Sequence, residues 1–223
     1  MGVGAIRYRP IRRVLIFCPV YELYTRTLES IFNLEWNGAL DRYFPEDNPF
    51  PAHGRYNINH NYQKAQRLAI DGDYDALLTF ESDIIVPSDG LKRLAALIDE
   101  GVGVARGLYC LRRGNIRWNA QGLDGVSVSH RPEKAREWWG EVRETRGIGL
   151  GFTLIARDVL ERLDWRHSER VGADGQLVEF CRDNDVGQVC DLSVVCGHVK
   201  REPPVILWPS VDGDGLYRVE GLR

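Results

Sequence analysis

Two acidic residues, Glu81 and Asp83, stand one residue apart directly after the apolar run Ala76-Leu77-Leu78-Thr79-Phe80. Turn-forming residues precede this run at 71–75, so the segment predicts a buried strand. Carboxylate oxygens suit hard divalent ions such as Mg²⁺ or Mn²⁺, which keep few protein ligands and often bind substrate phosphates. With the two side chains this close, one ion can meet one carboxylate directly and the other through water. A lone Glu-x-Asp is more often a solvated acidic turn than a metal site. The rest of the chain must decide between these two interpretations.

The surrounding elements predict an α/β fold. Val14-Leu15-Ile16-Phe17-Cys18 is a continuous apolar run of the kind buried on both faces of a parallel sheet. Strands and helices then alternate: strands at 40–44, 76–80, 102–108, 153–156 and 192–196, helices at 25–36, 59–71, 91–99, 157–163 and 174–186. This order predicts one domain over 1–223, a three-layer α/β/α sandwich with a mainly parallel sheet. The stretch 112–146 has no sustained period and is predicted to be a functional loop.

Polar residues follow several of the predicted strands, at 19–22, 45–47, 81–83 and 197–198. In open α/β sheets, ligands bind beyond the carboxyl ends of the strands. Acidic residues or a His at four such ends favour a binding site at this edge over four unrelated surface turns.

Composition excludes several other functions. The formal net charge of −3 and the pI of about 6.0 provide no overall basic field for nucleic acid. No apolar stretch approaches the roughly 20 residues that span a bilayer, and no secretory signal is evident, so we expect a soluble, cytoplasmic protein.

The number of cysteines, 5, is odd. Cys181, Cys190, Cys196 and His198 invite a zinc hypothesis, but without a Cys-x-x-Cys pair the cysteines are better explained as buried hydrophobic residues.

Several segments together resemble the GT-A fold glycosyltransferases of family 2 and their phage-like relatives. They cover roughly residues 12–200 and occur in the family's order. The segments are 17–22 with 28–31, 64–67, 75–87, 149–155 with Arg157 and Leu160, 180–187, and 195–198.

The resemblance implies transfer of a sugar from a nucleotide-diphosphate sugar donor to an acceptor hydroxyl. It also implies that Mn²⁺ or Mg²⁺ bridges the donor pyrophosphate and acts as a Lewis acid on the leaving group. Asp83 is then a direct metal ligand, Glu81 a water-mediated ligand or ribose contact, and His198 a third ligand. The donor half is expected over about 12–110, the acceptor half over 111–200, and a C-terminal tail over 201–223.

The same resemblance assigns binding roles to further residues. Tyr21 is expected to stack on the nucleobase, Glu22 or Asp47 to bond its edge or the ribose, and Lys64 and Arg67 to meet phosphate. The full set of expected donor residues is Pro19, Tyr21, Glu22, Asp47, Lys64, Arg67, Glu81 and Ser82. The expected acceptor residues are Trp118, Trp138, Gly149, Gly151 and Phe152. The acceptor itself, whether glycan, small molecule, protein or modified nucleic acid, is not implied.

The chain departs from the family where a catalytic base is expected. The family carries a Glu-Asp pair near the start of its late helix, and here Gln176-Leu177 stands in that place. Asp174 is our first candidate for the base and Glu179 the second, because an inverting transfer needs a group that activates the acceptor hydroxyl. Three alternatives stay open: a retaining transferase, a nucleotidyltransferase, and a non-catalytic module that binds nucleotide or carbohydrate.

Overall fold

The computed structural model describes residues 8–19, 23–45, 56–111, 115–147, 149–166, 171–212 and 215–222, without the side chains of 56–58. Tyr21, Glu22 and Asp47, which were predicted to bind the donor, lie outside the described residues. Within the described part of the chain, no helix is both long and apolar enough to cross a membrane.

A large mixed sheet forms the centre of the molecule. Its strands are β1 (Arg13–Phe17), β2 (Ala39–Tyr43), β3 (Ala76–Phe80), β5 (Val104–Leu108), β8 (Val142–Glu144), β9 (Phe152–Ala156) and β10 (Gln188–Val195). Their spatial order is β2-β1-β3-β9-β5-β10-β8. Strands β1, β2, β3, β5 and β10 run in one direction, whereas β9 runs against both neighbours and β8 runs against β10. The predicted α/β class and large, mainly parallel sheet are confirmed, with β9 as an antiparallel strand in the middle.

Helices cover both faces of this sheet. They are α1 (Thr25–Phe32), α2 (Tyr56–Asp71), α3 (Gly90–Asp99), α4 (Pro132–Trp138), α5 (Arg157–Leu160) and α6 (Ala173–Asp183). Phe17 contacts Tyr62 of α2, and helix α2 also packs against α5 and α6. Phe17 is in register with Thr79, so the next residue, Phe80, faces the other way. Phe80 packs against Phe152, whose ring lies against the first residue of α3. Burial on both faces explains why β1 and β3 are continuous apolar runs.

A second, antiparallel sheet lies beside the end of β3. It contains β4 (Ile84–Ile85), β11 (Gly197–Lys200), β12 (Val205–Pro209) and β13 (Tyr217–Gly221), in the order β13-β12-β11-β4. The segment from 201 onward, for which the sequence pattern predicts no element, therefore supplies two of its strands. Strand β12 pairs with β11 on the side away from β4.

The sequence pattern places several boundaries incorrectly. The stretch 112–146 contains β7 (Arg117–Trp118), which pairs with β6 (Cys110–Leu111), a 3₁₀ turn at Val128–His130, α4 and β8. These elements are too short to show a period in sequence. Helix α6 begins at Ala173 with Gly172 as its N-cap, so Asp174 lies in the first turn and is not the cap. Strand β10 begins at Gln188 rather than at 192.

Asp75 joins the segment before β3 to the segment before β1. Its Oδ2 accepts the backbone N–H groups of Arg12 and Arg13 at 2.9 and 2.8 Å. Its Oδ1 lies 3.0 Å from Nε of Arg9, and the Asp75 side chain is only 7% exposed. This carboxylate aligns the starts of two central strands, and thereby the two strand ends at the opposite edge.

We expect Asp75→Ala to lower the free energy of unfolding by about 2 kcal/mol, because it leaves two part-buried N–H donors without their acceptor. Asp75→Asn keeps one carbonyl oxygen and should cost less. Urea denaturation measures both. The exposed Asp71→Ala is the control, expected within about 0.5 kcal/mol of the parent. Equal midpoints for Asp75→Ala and the parent would contradict this role.

Candidate metal centre

Glu81, Asp83 and His198 meet beyond the carboxyl end of β3. Glu81 directly follows β3, Asp83 directly precedes β4, and His198 lies in β11. One potential ligand atom from each residue lies within 4.8 Å of the others, and no other such group of His, Cys, Asp and Glu occurs among the described residues. The structure thus brings together the three residues that the sequence predicts as metal ligands.

Backbone hydrogen bonds fix the positions of these three residues. The N–H of Ile84 donates to the carbonyl of Glu81 at 3.1 Å, which closes a tight turn between β3 and β4. In the β4–β11 ladder, His198 pairs with Ile84, and the N–H of Val199 donates to the carbonyl of Asp83 at 2.8 Å. The ladder therefore sets the separation of Asp83 and His198.

The hydrogen bonding of His198 determines which ring nitrogen faces the cluster. Its Nδ1 lies 2.6 Å from the carbonyl oxygen of Cys110. A carbonyl only accepts, so Nδ1 carries the proton, and in the neutral ring Nε2 keeps a lone pair. Nε2 is buried, makes no hydrogen bond within the described part of the chain, and lies 3.4 Å from Oδ1 of Asp83. A cation between these two atoms would be attracted to both of them.

The negative charge of the cluster extends into the core. Burial, followed by the charges of Asp83 and Glu81, raises the pKa of the Cys18 thiol to about 12. Cys18, at the end of β1, therefore stays protonated at neutral pH and does not offer a thiolate. Burial and then Glu81 also raise the pKa of Tyr62 and Tyr109 well above the ordinary value. Cys18, Tyr62 and Tyr109 thus stay protonated and uncharged at neutral pH and add nothing to the negative charge of Glu81 and Asp83.

The donor set fits the predicted ion. Two carboxylates and one imidazole provide three protein ligands, which leaves positions for water or phosphate oxygens as Mg²⁺ and Mn²⁺ require. The bond from Nδ1 of His198 to a backbone carbonyl is the outer contact that orients ligating histidines in metal sites.

Three of the described donor-side residues, Pro19, Lys64 and Ser82, lie toward the carboxyl ends of the strands. Pro19 is half-buried after β1, and Ser82 is buried within the β3–β4 turn. Lys64 is exposed on α2, with its Nζ 5.5 Å from the ring centre of Tyr43 at the end of β2. Arg67 is exposed on the following turn of α2.

Two of the predicted acceptor residues belong to the core. Phe152 is fully buried against Phe80, and Trp118 is 1% exposed with its Nε1 donating to the carbonyl of Leu216 at 2.7 Å. The expectation that these two side chains contact an acceptor is corrected, because they have no free surface. Trp138 is half-buried, and Nζ of Lys134 lies 4.5 Å from its ring centre.

The two base candidates on α6 differ in their surroundings. Asp174 is half-buried, and its charge, after burial and Glu81, helps to raise the pKa of Tyr62 and Tyr109. The start of α6 lies near Tyr62, because Trp165 contacts Tyr62 and donates its Nε1–H to the carbonyl of Ala173. Glu179 is exposed, and its charge acts on Arg182.

Gln176, which stands where the resemblance expects an acid, has a structural function. Its Nε2 donates to the carbonyls of Arg166 and Val171 at 3.0 and 3.1 Å, and its Oε1 accepts the N–H of Arg166 at 2.7 Å. These bonds connect the segments on either side of 167–170 to the start of α6. An amide, unlike a carboxylate, can donate and accept in this way.

The sequence pattern misses the residues that support His198. Asn119 is fully buried; its Oδ1 accepts the N–H of Tyr109 at 2.9 Å, and its Nδ2 donates to the carbonyl of Gly107 at 3.0 Å. These bonds fix the backbone leading to Cys110, whose carbonyl accepts from His198. An Asn in an aperiodic segment gives no sequence signal for this role.

We expect saturating Mn²⁺ to raise the melting temperature of the parent, since an ion at about 100 times its Kd adds about 2.7 kcal/mol. Asp83→Asn and His198→Ala should abolish this shift. Without metal, Asp83→Asn should not be destabilising, because an amide N–H can donate to Nε2 of His198. Thermal unfolding with Mn²⁺ or with chelator measures each case.

The control for this measurement is Asp89→Asn, at an exposed carboxylate before α3. It should keep the full Mn²⁺ shift of the parent. A parent protein whose melting temperature ignores Mn²⁺, or an Asp83→Asn variant that keeps the shift, would exclude this cluster as the binding site.

Comparisons with known proteins bear on the fold. No protein-family model matches the sequence, and no curated protein sequence is similar to it. Among solved structures, the crystal structure of A197 from STIV is similar, with a TM-score of 0.61 at 20% sequence identity. The match covers 95% of this chain and 95% of that chain. At this level of identity, the likeness shows a shared overall fold.

Proposed function

We propose that the chain is a metal-dependent glycosyltransferase of the GT-A type, which moves a sugar from a nucleotide-diphosphate sugar to an acceptor hydroxyl. The observation that carries the proposal is the convergence of Glu81, Asp83 and His198 beyond β3. The same three residues are those that the family resemblance singles out. Their position agrees with the general rule that α/β sheets bind ligands at the carboxyl ends of their strands.

The chemistry follows from the donor's charge. When the bond between sugar and phosphate breaks, negative charge grows on the pyrophosphate, and a bound Mn²⁺ or Mg²⁺ neutralises it. Asp83 and His198 would hold the ion, and Glu81 would hold a water ligand or the ribose. Lys64 is exposed over Tyr43 at the end of β2, where its ammonium can approach a phosphate.

Asp174 is the residue that we assign as the base. It lies half-buried in the first turn of α6. There it would meet the acceptor hydroxyl, take its proton and leave the oxygen free to attack the sugar. Gln176 cannot take this role, since an amide does not accept a proton at neutral pH.

We expect Asp174→Asn to lower kcat by about 10²- to 10⁴-fold with little change in donor affinity, because only the proton acceptor is lost. Glu179→Gln is the control and should keep the parental rate, since Glu179 is exposed. Steady-state kinetics with varied donor measures both. Loss of transfer activity in Glu179→Gln alone would identify Glu179, within α6, as the base. Parental rates in both variants would favour a retaining mechanism, which the anomeric configuration of the product tests.

We expect incubation with Mn²⁺ and a panel of nucleotide sugars to release nucleoside diphosphate, and Asp83→Asn to abolish the release. The reason is that the ion connects protein and pyrophosphate. Chromatography of the nucleotides measures the product. Pyrophosphate release from a nucleoside triphosphate with a sugar phosphate would instead support a nucleotidyltransferase. Tight nucleotide-sugar binding without turnover of any acceptor would support a non-catalytic module.

A further inference from the structure

Tyr109 contacts the metal centre from the core side. It directly follows β5 and is 1% exposed. Its ring meets the ring of His198 edge to face, with centroids 5.7 Å apart and an interplanar angle of 80°. The backbone carbonyl of the next residue, Cys110, accepts a hydrogen bond from Nδ1–H of His198. Residues 109 and 110 therefore hold the imidazole by one apolar contact and one hydrogen bond.

The hydroxyl of Tyr109 is linked to a second metal ligand. Its Oη accepts the N–H of Gly151 at 3.2 Å, and the carbonyl of Gly151 accepts the N–H of Glu81 at 3.0 Å. One side chain thus contacts His198 through its ring and is connected to Glu81 through Gly151.

The turn before β9 fits closely around this phenol. Gly149 has φ +87°, and a Cβ there would lie 1.9 Å from Oη of Tyr109. A Cβ on Gly151 would lie 3.0 Å from Cζ of the same ring. Gly149 allows the backbone to approach the hydroxyl where any side chain would overlap it, whereas a Cβ at Gly151 would press on the ring and require a small shift. This gives a physical reason for the Gly-Leu-Gly sequence at 149–151.

We propose that Tyr109 is a positioning residue that sets the place of Glu81 relative to His198 and thereby tunes the affinity for the divalent ion. The inference rests on the proposed metal site. It extends that proposal to a residue that makes no direct contact with the ion. Tyr109→Phe separates the two contacts, because the ring remains against His198 while the bond to Gly151 is lost.

A double-mutant cycle on Mn²⁺ affinity tests the link. Isothermal titration with Mn²⁺ alone is performed on the parent, Tyr109→Phe, Glu81→Gln and the double variant. We expect Tyr109→Phe to weaken Mn²⁺ binding by about 5- to 10-fold. In the Glu81→Gln background the same change should cost nothing further, because its effect passes through Glu81.

The controls separate this role from a loss of stability. Tyr74→Phe removes the bond from Tyr74 Oη to Asp41 Oδ2, away from the site, and should leave Mn²⁺ affinity unchanged. Urea denaturation without metal reports whether each variant folds. If Tyr109→Phe does not fold, Gly151→Ala disturbs the same link from the other side and should show the same dependence on Glu81.

Each outcome is decisive. Losses that add fully in the Tyr109→Phe, Glu81→Gln double variant would overturn the inference, as would parental affinity in Tyr109→Phe, while the metal site itself would stand. A parent protein that does not bind Mn²⁺ would instead remove the proposed function, and this inference with it.

Discussion

The pairing of β4 with β11 sets the geometry of the candidate metal site. This short ladder holds the Asp83 carboxylate and Nε2 of His198 3.4 Å apart in a site that is largely closed to solvent. Because Nδ1–H of His198 donates a hydrogen bond to the carbonyl of Cys110, the neutral ring presents the lone pair of Nε2 to the Asp83 carboxylate. Glu81 adds a second negative charge nearby. Such an arrangement costs free energy unless a cation lies nearby. A divalent ion would supply the missing positive charge, and this is the basis of the functional proposal.

The two sheets divide the work of building the site. The central sheet delivers Glu81 at the end of β3, and Asp75 aligns the other ends of β1 and β3. The second sheet, which extends to β13, delivers His198. Asn119 fixes the backbone at the end of β5, and Tyr109 then contacts His198 of the second sheet and the N–H of Gly151 before β9 of the central sheet. The segment after 200 therefore matters for the site although it carries none of the proposed ligands.

The sequence predicts the ligands better than it predicts their support. Glu81 and Asp83 follow from their position after the apolar run 76–80 and from carboxylate chemistry, whereas His198 is predicted as a ligand through the family resemblance. The antiparallel direction of β9 is not encoded in local pattern, since a buried strand has the same composition in either direction. Phe152 and Trp118 resemble contact residues in sequence, but packing places them in the core. The roles of Tyr109, Asn119 and the Cys110 carbonyl depend on contacts between distant segments, which a single sequence does not display.

Anomalous diffraction from crystals soaked in Mn²⁺ would show directly whether the candidate site binds a divalent ion. We expect a Mn peak beyond the end of β3, within about 2.5 Å of both a carboxylate oxygen of Asp83 and Nε2 of His198. We also expect His198 to keep its hydrogen bond to the carbonyl of Cys110. A map with no Mn peak at this place, and with Nε2 of His198 donating a hydrogen bond to Asp83, would contradict the proposed metal site.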